Sequence, residues 1–196
     1  MRATQVGWRA VRRLSTRRRV SIELISDTMW PNGYIAKRHL VAAMREYEAR
    51  LSFSLFRIPF QLEPEYPEDE VFEETNLERM HRKWGGEAAF NRQKVRHRLK
   101  ERGKEVGIAR FVPERIASST MKSHRLVQWI AIRYGLDASE TLYHELNRRH
   151  FEQGAKLNST QLLLECVSTA LPRKEAGPSE EETLEFLQGD AARVEI

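Results

Sequence analysis

The sequence predicts an α/β fold in which a strand–helix–strand unit precedes a long segment made only of helices. Two stretches, residues 20–26 and 51–58, alternate apolar and polar side chains as half-buried strands do. Between them, and again from Thr75 onward, apolar residues recur at helical spacing. Because strands joined by a helical crossover pair in parallel, we expect a parallel strand pair with a right-handed connection.

Each element of the first unit has a residue that marks its boundary. The first strand ends at Ser26, and Pro31 is typical of the first turn of a helix. This helix is predicted to run to about residue 50. The second strand, 51–58, ends at Pro59, which has no N–H to donate to a sheet. The apolar residues on one face of the helix are Leu40, Met44, Tyr47 and Leu51.

An acidic stretch and a basic stretch follow the first unit. Residues 61–78 carry eight acidic side chains and two prolines, which predicts an exposed loop leading into a helix near Thr75. Residues 79–104 carry ten Lys or Arg against two Glu, and we interpret them as a solvated helix face because few aromatic residues interrupt the charge. Further helices are predicted at 119–134, 138–153, 159–171 and 179–188.

The composition narrows the class of protein. The chain has 196 residues, 40% hydrophobic and 31% charged, which suits one globular domain or one domain with a large insertion, and no stretch is apolar enough to span a membrane. Cys166 is the only cysteine, which excludes an internal disulfide and a C-x-x-C zinc site. His144 and His150 point to different faces of a helix, so no metal site is predicted.

Positive charge is concentrated at the N-terminus. Residues 1–20 contain seven arginines and no acidic residue, so the rest of the chain is slightly acidic although the net charge is +5. We therefore expect no nucleic-acid partner. The Arg-rich, acid-free segment 1–19 is typical of a mitochondrial transit peptide, which predicts a location in the mitochondrial matrix. A disordered or mis-assigned extension on a cytoplasmic protein is the alternative.

Residues 26–38, S-D-T-M-W-P-N-G-Y-I-A-K-R, resemble the active-site turn S-D-x-x-C-P-W-C-Y-I-G-K of the DsbA-like, FrnE-type thioredoxin-fold oxidoreductases. Three more segments resemble this family in the same order along the chain: P-F-Q-L-E-P at 59–64, K-W-G-G at 83–86 and S-H-R-L at 123–126. The resemblance implies a thioredoxin-like (DsbA-like) core with a large all-helical insertion. The implied parts are an extension at 1–19, the thioredoxin-like βαβ half at 20–62, and the helical insertion with an acidic tail at 63–196.

The sequence departs from this family at the redox positions. Trp30 and Gly33 stand where the family has its two cysteines, and Asn32 replaces the aromatic residue between them. Thiol–disulfide exchange needs a thiolate, and neither position supplies one. Related kappa-class glutathione transferases and 2-hydroxychromene-2-carboxylate isomerases use a serine at the first position, but Trp30 has no hydroxyl. Cys166 lies among leucines on a helical pattern and is interpreted as a buried thiol.

The family also continues into a G-V-P segment, whose cis-proline faces the active-site turn, and then into two strands and a last helix. Here the last proline is Pro178. We therefore expect a fold that is truncated before the cis-proline strand and keeps only two strands. A truncated product, a protein partner that completes the sheet and an incomplete gene model are all compatible with this expectation.

The helix N-terminus that follows the turn is the candidate site. The N–H groups of Asn32, Gly33 and Tyr34 are expected to be free to bind an anion or thiolate, with the Trp30 indole, the Asn32 amide and the Tyr34 hydroxyl as further donors. His124 is a candidate general acid or base. The alternatives are that the donors meet only water, that Trp30 is a hydrophobic cap and that His124 is structural.

Two functions remain open from the sequence. The first is a glutathione-dependent isomerase or oxidoreductase that acts on a small molecule, with glutathione held at the helix N-terminus. The second is a catalytically inactive interaction protein or truncated pseudoenzyme that keeps only the scaffold. Neither substrate nor oligomeric state follows from the sequence.

Overall fold

The computed structural model describes residues 17–172 and 177–192. Its first unit consists of strand β1 (Arg18–Ser26), helix α1 (Pro31–Tyr47) and strand β2 (Leu51–Pro59). The two strands pair in parallel along their whole length, so the predicted strand–helix–strand unit is confirmed. In the described part of the chain this sheet has two strands, and each has one edge without a neighbouring strand.

Helices make up most of the remainder. They are α2 (Asn76–Trp84), α3 (Glu87–His97), α4 (Leu99–Glu105), α5 (Met121–Tyr134), α6 (Leu136–Asn147), α7 (Thr160–Ala170) and α8 (Glu180–Gln188). A π-helical turn, Arg148–Glu152, extends α6. The helices predicted beyond residue 119 are confirmed. The basic stretch is divided into three helices, because Gly85, Gly86 and Arg98 all have positive φ.

The expectation that residues 63–196 form an all-helical insertion is wrong in two short places. Strands β3 (Glu74–Thr75) and β4 (Ile116–Ala117) pair antiparallel. Strands of two residues are too short to show the alternation by which strands are recognised in a sequence. Their pairing brings the start of α2 beside the segment before α5, and the Asn76 N–H donates to the Arg115 carbonyl oxygen at 2.9 Å.

Two hydrophobic clusters hold the described residues together. The larger one is formed mainly by α5, α6, α7 and α8, where Leu126, Ile130, Leu142 and Leu163 are fully buried. Full burial of each such side chain contributes on the order of 2 kcal/mol to stability. The smaller cluster joins α1 to the rest through Tyr34, Ile35, Ile108, Phe111 and Phe151.

The acidic stretch 61–78 is less exposed than expected. Its helix begins as predicted after Thr75, which forms a capping box with Glu78. The preceding loop, however, is held by ion pairs: Glu63 contacts Lys83 at 2.8 Å, and Glu70 contacts Lys122 at 2.8 Å. Basic side chains of α2 and α5 therefore neutralise a loop that looks purely solvated in the sequence.

Most of the predicted N-terminal extension lies outside the described residues, and its last residues, Arg18 and Arg19, belong to β1. None of the helices within residues 17–172 and 177–192 is long and apolar enough to cross a membrane. Within the same residues, no three His, Cys, Asp or Glu side chains gather as a metal site.

Candidate functional site

The turn between β1 and α1 places Trp30 at the start of the helix. The Trp30 N–H donates to the Asp27 carbonyl oxygen at 3.1 Å, and Pro31 occupies the first turn of α1, where a missing N–H costs nothing. No side chain caps this end of α1 among the described residues. Trp30 is 39% exposed, so its indole lies at the protein surface and not in the core.

The side chain of Asp27 holds the turn in place. Its carboxylate is buried and accepts hydrogen bonds from the N–H groups of Leu62 at 2.6 Å and Met29 at 3.1 Å, and Nε2 of His124 lies 3.4 Å from Oδ1. Burial opposes ionisation, but the imidazole and the two N–H donors outweigh it, so the pKa of Asp27 lies below its ordinary value. Asp27 thus joins the end of β1 to the segment that follows β2.

Uncharged side chains of helices α5 and α6 form hydrogen bonds with the turn. The Tyr143 hydroxyl donates to the Asp27 carbonyl oxygen at 3.1 Å, and the Asn147 amide donates to the Thr28 carbonyl oxygen at 3.0 Å. The hydroxyls of Thr28 and Ser123 are 2.8 Å apart. These contacts keep the turn rigid without using any group at the open end of α1.

A cavity of about 480 Å³, here called the α1 cavity, opens at the N-terminus of α1. Trp30, Pro31 and Asn32 form one wall, and α2, α3 and α4 supply most of the others. The remaining residues that line it are Leu62, Asn76, Arg79, Met80, Lys83, Trp84, Phe90, Lys94, His97, Leu99, Lys100, Glu101, Phe111, Pro113 and Arg115. The cavity therefore joins the turn to an aromatic and cationic surface.

The charge of the cavity wall is strongly positive. Five of its side chains are Lys or Arg, and Glu101 is the one carboxylate among the described residues that line it. The buried Arg79 is compensated, because its Nε lies 2.6 Å from the carboxylate of Glu63, which also pairs with Lys83. The N-terminal end of a helix adds further positive potential. This combination favours a bound anion.

The structure changes the set of donors expected at the helix N-terminus. The N–H groups of Gly33 and Tyr34 both donate to the Trp30 carbonyl oxygen, at 3.0 and 3.3 Å, so the expectation that they are free is wrong. Both N–H groups are therefore used within the first turn of α1 and are not available to a ligand. The Asn32 N–H has no partner among the described residues, and its side-chain Oδ1 accepts from Arg102 at 2.9 Å.

The Tyr34 hydroxyl is not a donor to the cavity either. Tyr34 lies on the buried face of α1, its hydroxyl donates to Glu152 at 2.8 Å, and its ring stacks on Phe151 at 5.6 Å between centroids. Burial raises the pKa of Tyr34 to about 12. Tyr34 is therefore part of the smaller hydrophobic cluster and does not line the cavity.

His124 and Cys166 are both buried away from the cavity. His124 lies behind the turn, against Asp27, and is not among the residues that line the α1 cavity. The buried thiol predicted at Cys166 is confirmed, and burial raises its pKa to about 12. Of the sequence-predicted candidates, Trp30 and Asn32 are the side chains that the structure brings to the cavity.

Arg79, Lys83 and Arg115 are the cavity residues that sequence reasoning missed. Arg79 and Lys83 belong to the basic stretch interpreted as a solvated face, and the K-W-G-G segment that begins at Lys83 was the only signal near them. Arg115 carries no motif at all. The β3–β4 pairing places Arg115 at the cavity, and no periodicity in the sequence predicts that pairing.

The strand–helix–strand unit, the turn at the start of α1 and the helical remainder together form a DsbA-like thioredoxin fold. A solved structure, of a probable DsbA oxidoreductase from Streptomyces coelicolor, matches the chain with a TM-score of 0.73 and 23% sequence identity. The match covers 88% of this chain and 69% of that chain. Comparison of the sequence with protein-family models and with curated proteins gives no significant match. The fold class predicted from the resemblance is confirmed.

Proposed function

We propose that this DsbA-like protein does not exchange disulfides and instead binds a small anionic molecule in the α1 cavity. The observation that carries the proposal is the position of the cavity. It begins at Trp30 and Asn32, where the resembled family has its redox turn, and its walls carry the cations Arg79, Lys83 and Arg115. A site that lacks sulfur but has a helix N-terminus and cationic side chains in its walls is suited to binding an anion.

Glutathione is the first ligand to test, because the resemblance includes enzymes that use it. Its two carboxylates suit a cationic wall, and its thiol would supply the sulfur that the chain lacks. The chain itself would hold the carboxylates with Lys83 and Arg115 and offer the Asn32 N–H to the ligand. Isomerase or oxidoreductase chemistry on a small-molecule substrate is the activity that this arrangement would serve.

Calorimetric titration of the full chain with reduced glutathione tests the proposal. We expect binding at millimolar or lower concentration, weakened by added salt because the contacts are ionic. Trp30→Ala should weaken binding, whereas Phe60→Ala, which truncates another exposed aromatic residue outside the cavity, should not. If neither glutathione nor any other organic anion binds the wild-type protein, the proposal fails.

An interaction protein is the second candidate, and the two-stranded sheet favours it. Ile25, Phe56 and Ile58 are exposed on β1 and β2, and each strand has a free edge in the described part of the chain. Such an edge can accept a strand from a protein partner that completes the sheet. Analytical ultracentrifugation tests whether a second copy is that partner: concentration-dependent association that Phe56→Lys abolishes would support it, and a strict monomer would exclude self-pairing.

Import into mitochondria is proposed from the N-terminal arginines alone. Residues 1–30 fused to a fluorescent reporter should enter mitochondria, and replacing Arg9, Arg12 and Arg13 by Glu should prevent it. A diffuse cytosolic signal from the unmodified fusion would favour the cytoplasmic alternative.

A further inference from the structure

The α1 cavity contains a buried cation that has no acidic partner in the described part of the chain. Arg115 is only 6% exposed and lines the cavity. Its Nη1 donates to the Val112 carbonyl oxygen at 3.0 Å. Its Nε and Nη2 groups have no hydrogen-bond partner among the described residues, and no carboxylate of those residues lies within ion-pair distance.

Two other buried arginines in the described residues are paired with carboxylates, and the buried Arg125 donates to backbone carbonyl oxygens. Arg79, on the same cavity wall, pairs with Glu63 at 2.6 Å, and the buried Arg57 pairs with Glu140 at 2.6 Å. A buried charge is ordinarily paired because removing it from water is costly. Arg115 is instead buried close enough to Arg79 to be repelled by it. Burial and this repulsion lower the pKa of Arg115 to about 10, which still leaves it charged at neutral pH.

The surroundings of Arg115 restrict the kind of anion that fits. The guanidinium presents its remaining N–H groups in the planar geometry that suits a carboxylate or a phosphoryl group. Much of the rest of the lining is apolar, and the side chains concerned are Trp30, Leu62, Met80, Trp84, Phe90, Leu99 and Phe111. Lys94 and Lys100 are exposed at the cavity. A fully polar anion would leave the aromatic surface without a partner.

We propose that Arg115 binds the carboxylate or phosphoryl group of an amphiphilic anion whose apolar body packs against Trp84, Phe90 and Phe111. This inference rests on the proposed function, since it uses the same cavity, and it narrows the ligand class from any small anion to one with an apolar body. The Arg115 guanidinium already lies over the Phe151 ring, 5.4 Å from its centroid. The ligand's charge supplies the anionic partner that this cation lacks among the described residues.

A head-group series with one apolar chain tests the inference on the wild-type full chain. The probes are octanoate, octyl phosphate, octanol and octyltrimethylammonium, titrated by calorimetry and by tryptophan fluorescence. Both anions should bind roughly tenfold or more tightly than the neutral and cationic probes, since a hydrogen bond to a charged group is stronger than a neutral one. The ratio between the two anions distinguishes a phosphoryl head group from a carboxylate.

Variants then locate the contact. Arg115→Gln should weaken both anions roughly 10- to 100-fold and leave octanol unchanged, whereas Arg115→Lys should retain part of the affinity. Because Arg115 is buried and its variants can lose stability, a second pair uses exposed residues. Lys94→Glu reverses a charge at the cavity and should weaken anion binding, whereas Lys104→Glu, on α4 but outside the cavity lining, should not.

The outcomes separate the two proposals. Equal affinity for octanol and octanoate, or anion binding that is unchanged in a folded Arg115→Gln variant, would overturn the role of Arg115 while leaving the α1 cavity as a binding site. Binding of glutathione without any binding of the octyl anions would overturn the amphiphilic ligand class alone. Absence of binding by every anion would overturn the proposed function as well.

Discussion

Asp27 is the residue on which the geometry of the turn depends most. Its carboxylate connects β1 to Leu62, which lines the α1 cavity, and faces the His124 imidazole. Asp27 does not line the cavity itself, but its replacement should displace Leu62, which does. An acid in this position therefore acts by positioning, in contrast to the cations that line the cavity directly.

Asp27→Asn should destabilise the protein at neutral pH by roughly 1–3 kcal/mol, because the variant removes the charge that accepts two N–H groups and faces His124. The pKa of Asp27 in the folded protein lies below its ordinary value of about 3.9. Its stabilising contribution is therefore present above that pH and is lost as the pH falls through the lower folded value. Urea unfolding at neutral and at acid pH measures this.

The control for Asp27 is Glu105→Gln, which neutralises an exposed carboxylate at the end of α4 and should change stability little. The stability difference between wild type and Asp27→Asn should shrink as the pH falls below the ordinary carboxyl pKa of about 3.9. A difference that stays constant over this range would contradict the ionised, stabilising role of Asp27.

Cys166 should be unreactive in the folded protein. Its thiol is fully buried on α7, and burial raises its pKa to about 12, so almost no thiolate forms at physiological pH. Labelling with a thiol-specific reagent should be slow under native conditions and fast in denaturant. Rapid native labelling that is absent in Cys166→Ala would show that the thiol is accessible. Cys166 would then be a candidate for thiol chemistry in this chain.

Helix α3 packs against the rest of the molecule without burying any of its residues. None of its residues is buried, whereas α5 buries six, and it is bounded by Gly85 and Gly86 on one side and by the positive-φ residue Arg98 on the other. It nevertheless contributes Phe90 and Lys94 to the cavity. Ligand binding and the mobility of α3 should therefore be linked.

Native-state hydrogen exchange should show this link. The amides of α3 should exchange faster than those of α5 and α6, because few buried contacts must break to open it. Saturating octanoate should slow exchange in α3 while leaving α7, which lies outside the cavity lining, unchanged. Protection of α3 equal to that of α6 without ligand would contradict its loose attachment.

Elements with local signals could be predicted from the sequence. Pro31 at the start of α1, the capping box of Thr75 and Glu78, and the N-cap residues Ser159 and Ser179 all mark helix starts that the structure contains. Strands β3 and β4 could not be predicted, since two residues carry no period. These two strands matter for the candidate site, because their pairing places Arg115 on the same cavity wall as Arg79.

The molecule as a whole has a DsbA-like fold, and its one cysteine cannot form a dithiol. The parallel strand pair and the turn at Trp30 and Gly33 follow from sequence patterns and from the resemblance. The α1 cavity does not, because its walls come from five separate segments whose side chains meet only after folding. The charge of the basic stretch was visible in the sequence, but which of its cations turn inward was not.

The full chain should therefore not catalyse reduction of insulin disulfides by dithiothreitol. With Cys166 inaccessible and no cysteine at position 30 or 33, no thiolate is available for attack. Insulin turbidity should develop at the uncatalysed rate, while a dithiol DsbA enzyme as positive control accelerates it. Catalysis that persists in Cys166→Ala would contradict the proposal that this chain does not exchange disulfides.

An NMR titration of the ¹⁵N-labelled full chain shows whether the α1 cavity is a binding site for small anions. Glutathione and octanoate are added separately to millimolar concentration, and amide shifts are followed along the chain. We expect shifts that saturate at Asn32, Lys83 and Lys94, with Phe56 and Ile58 on the sheet unaffected. Shifts confined to the sheet, or no saturable shift at the cavity with either ligand, would contradict the proposed binding site.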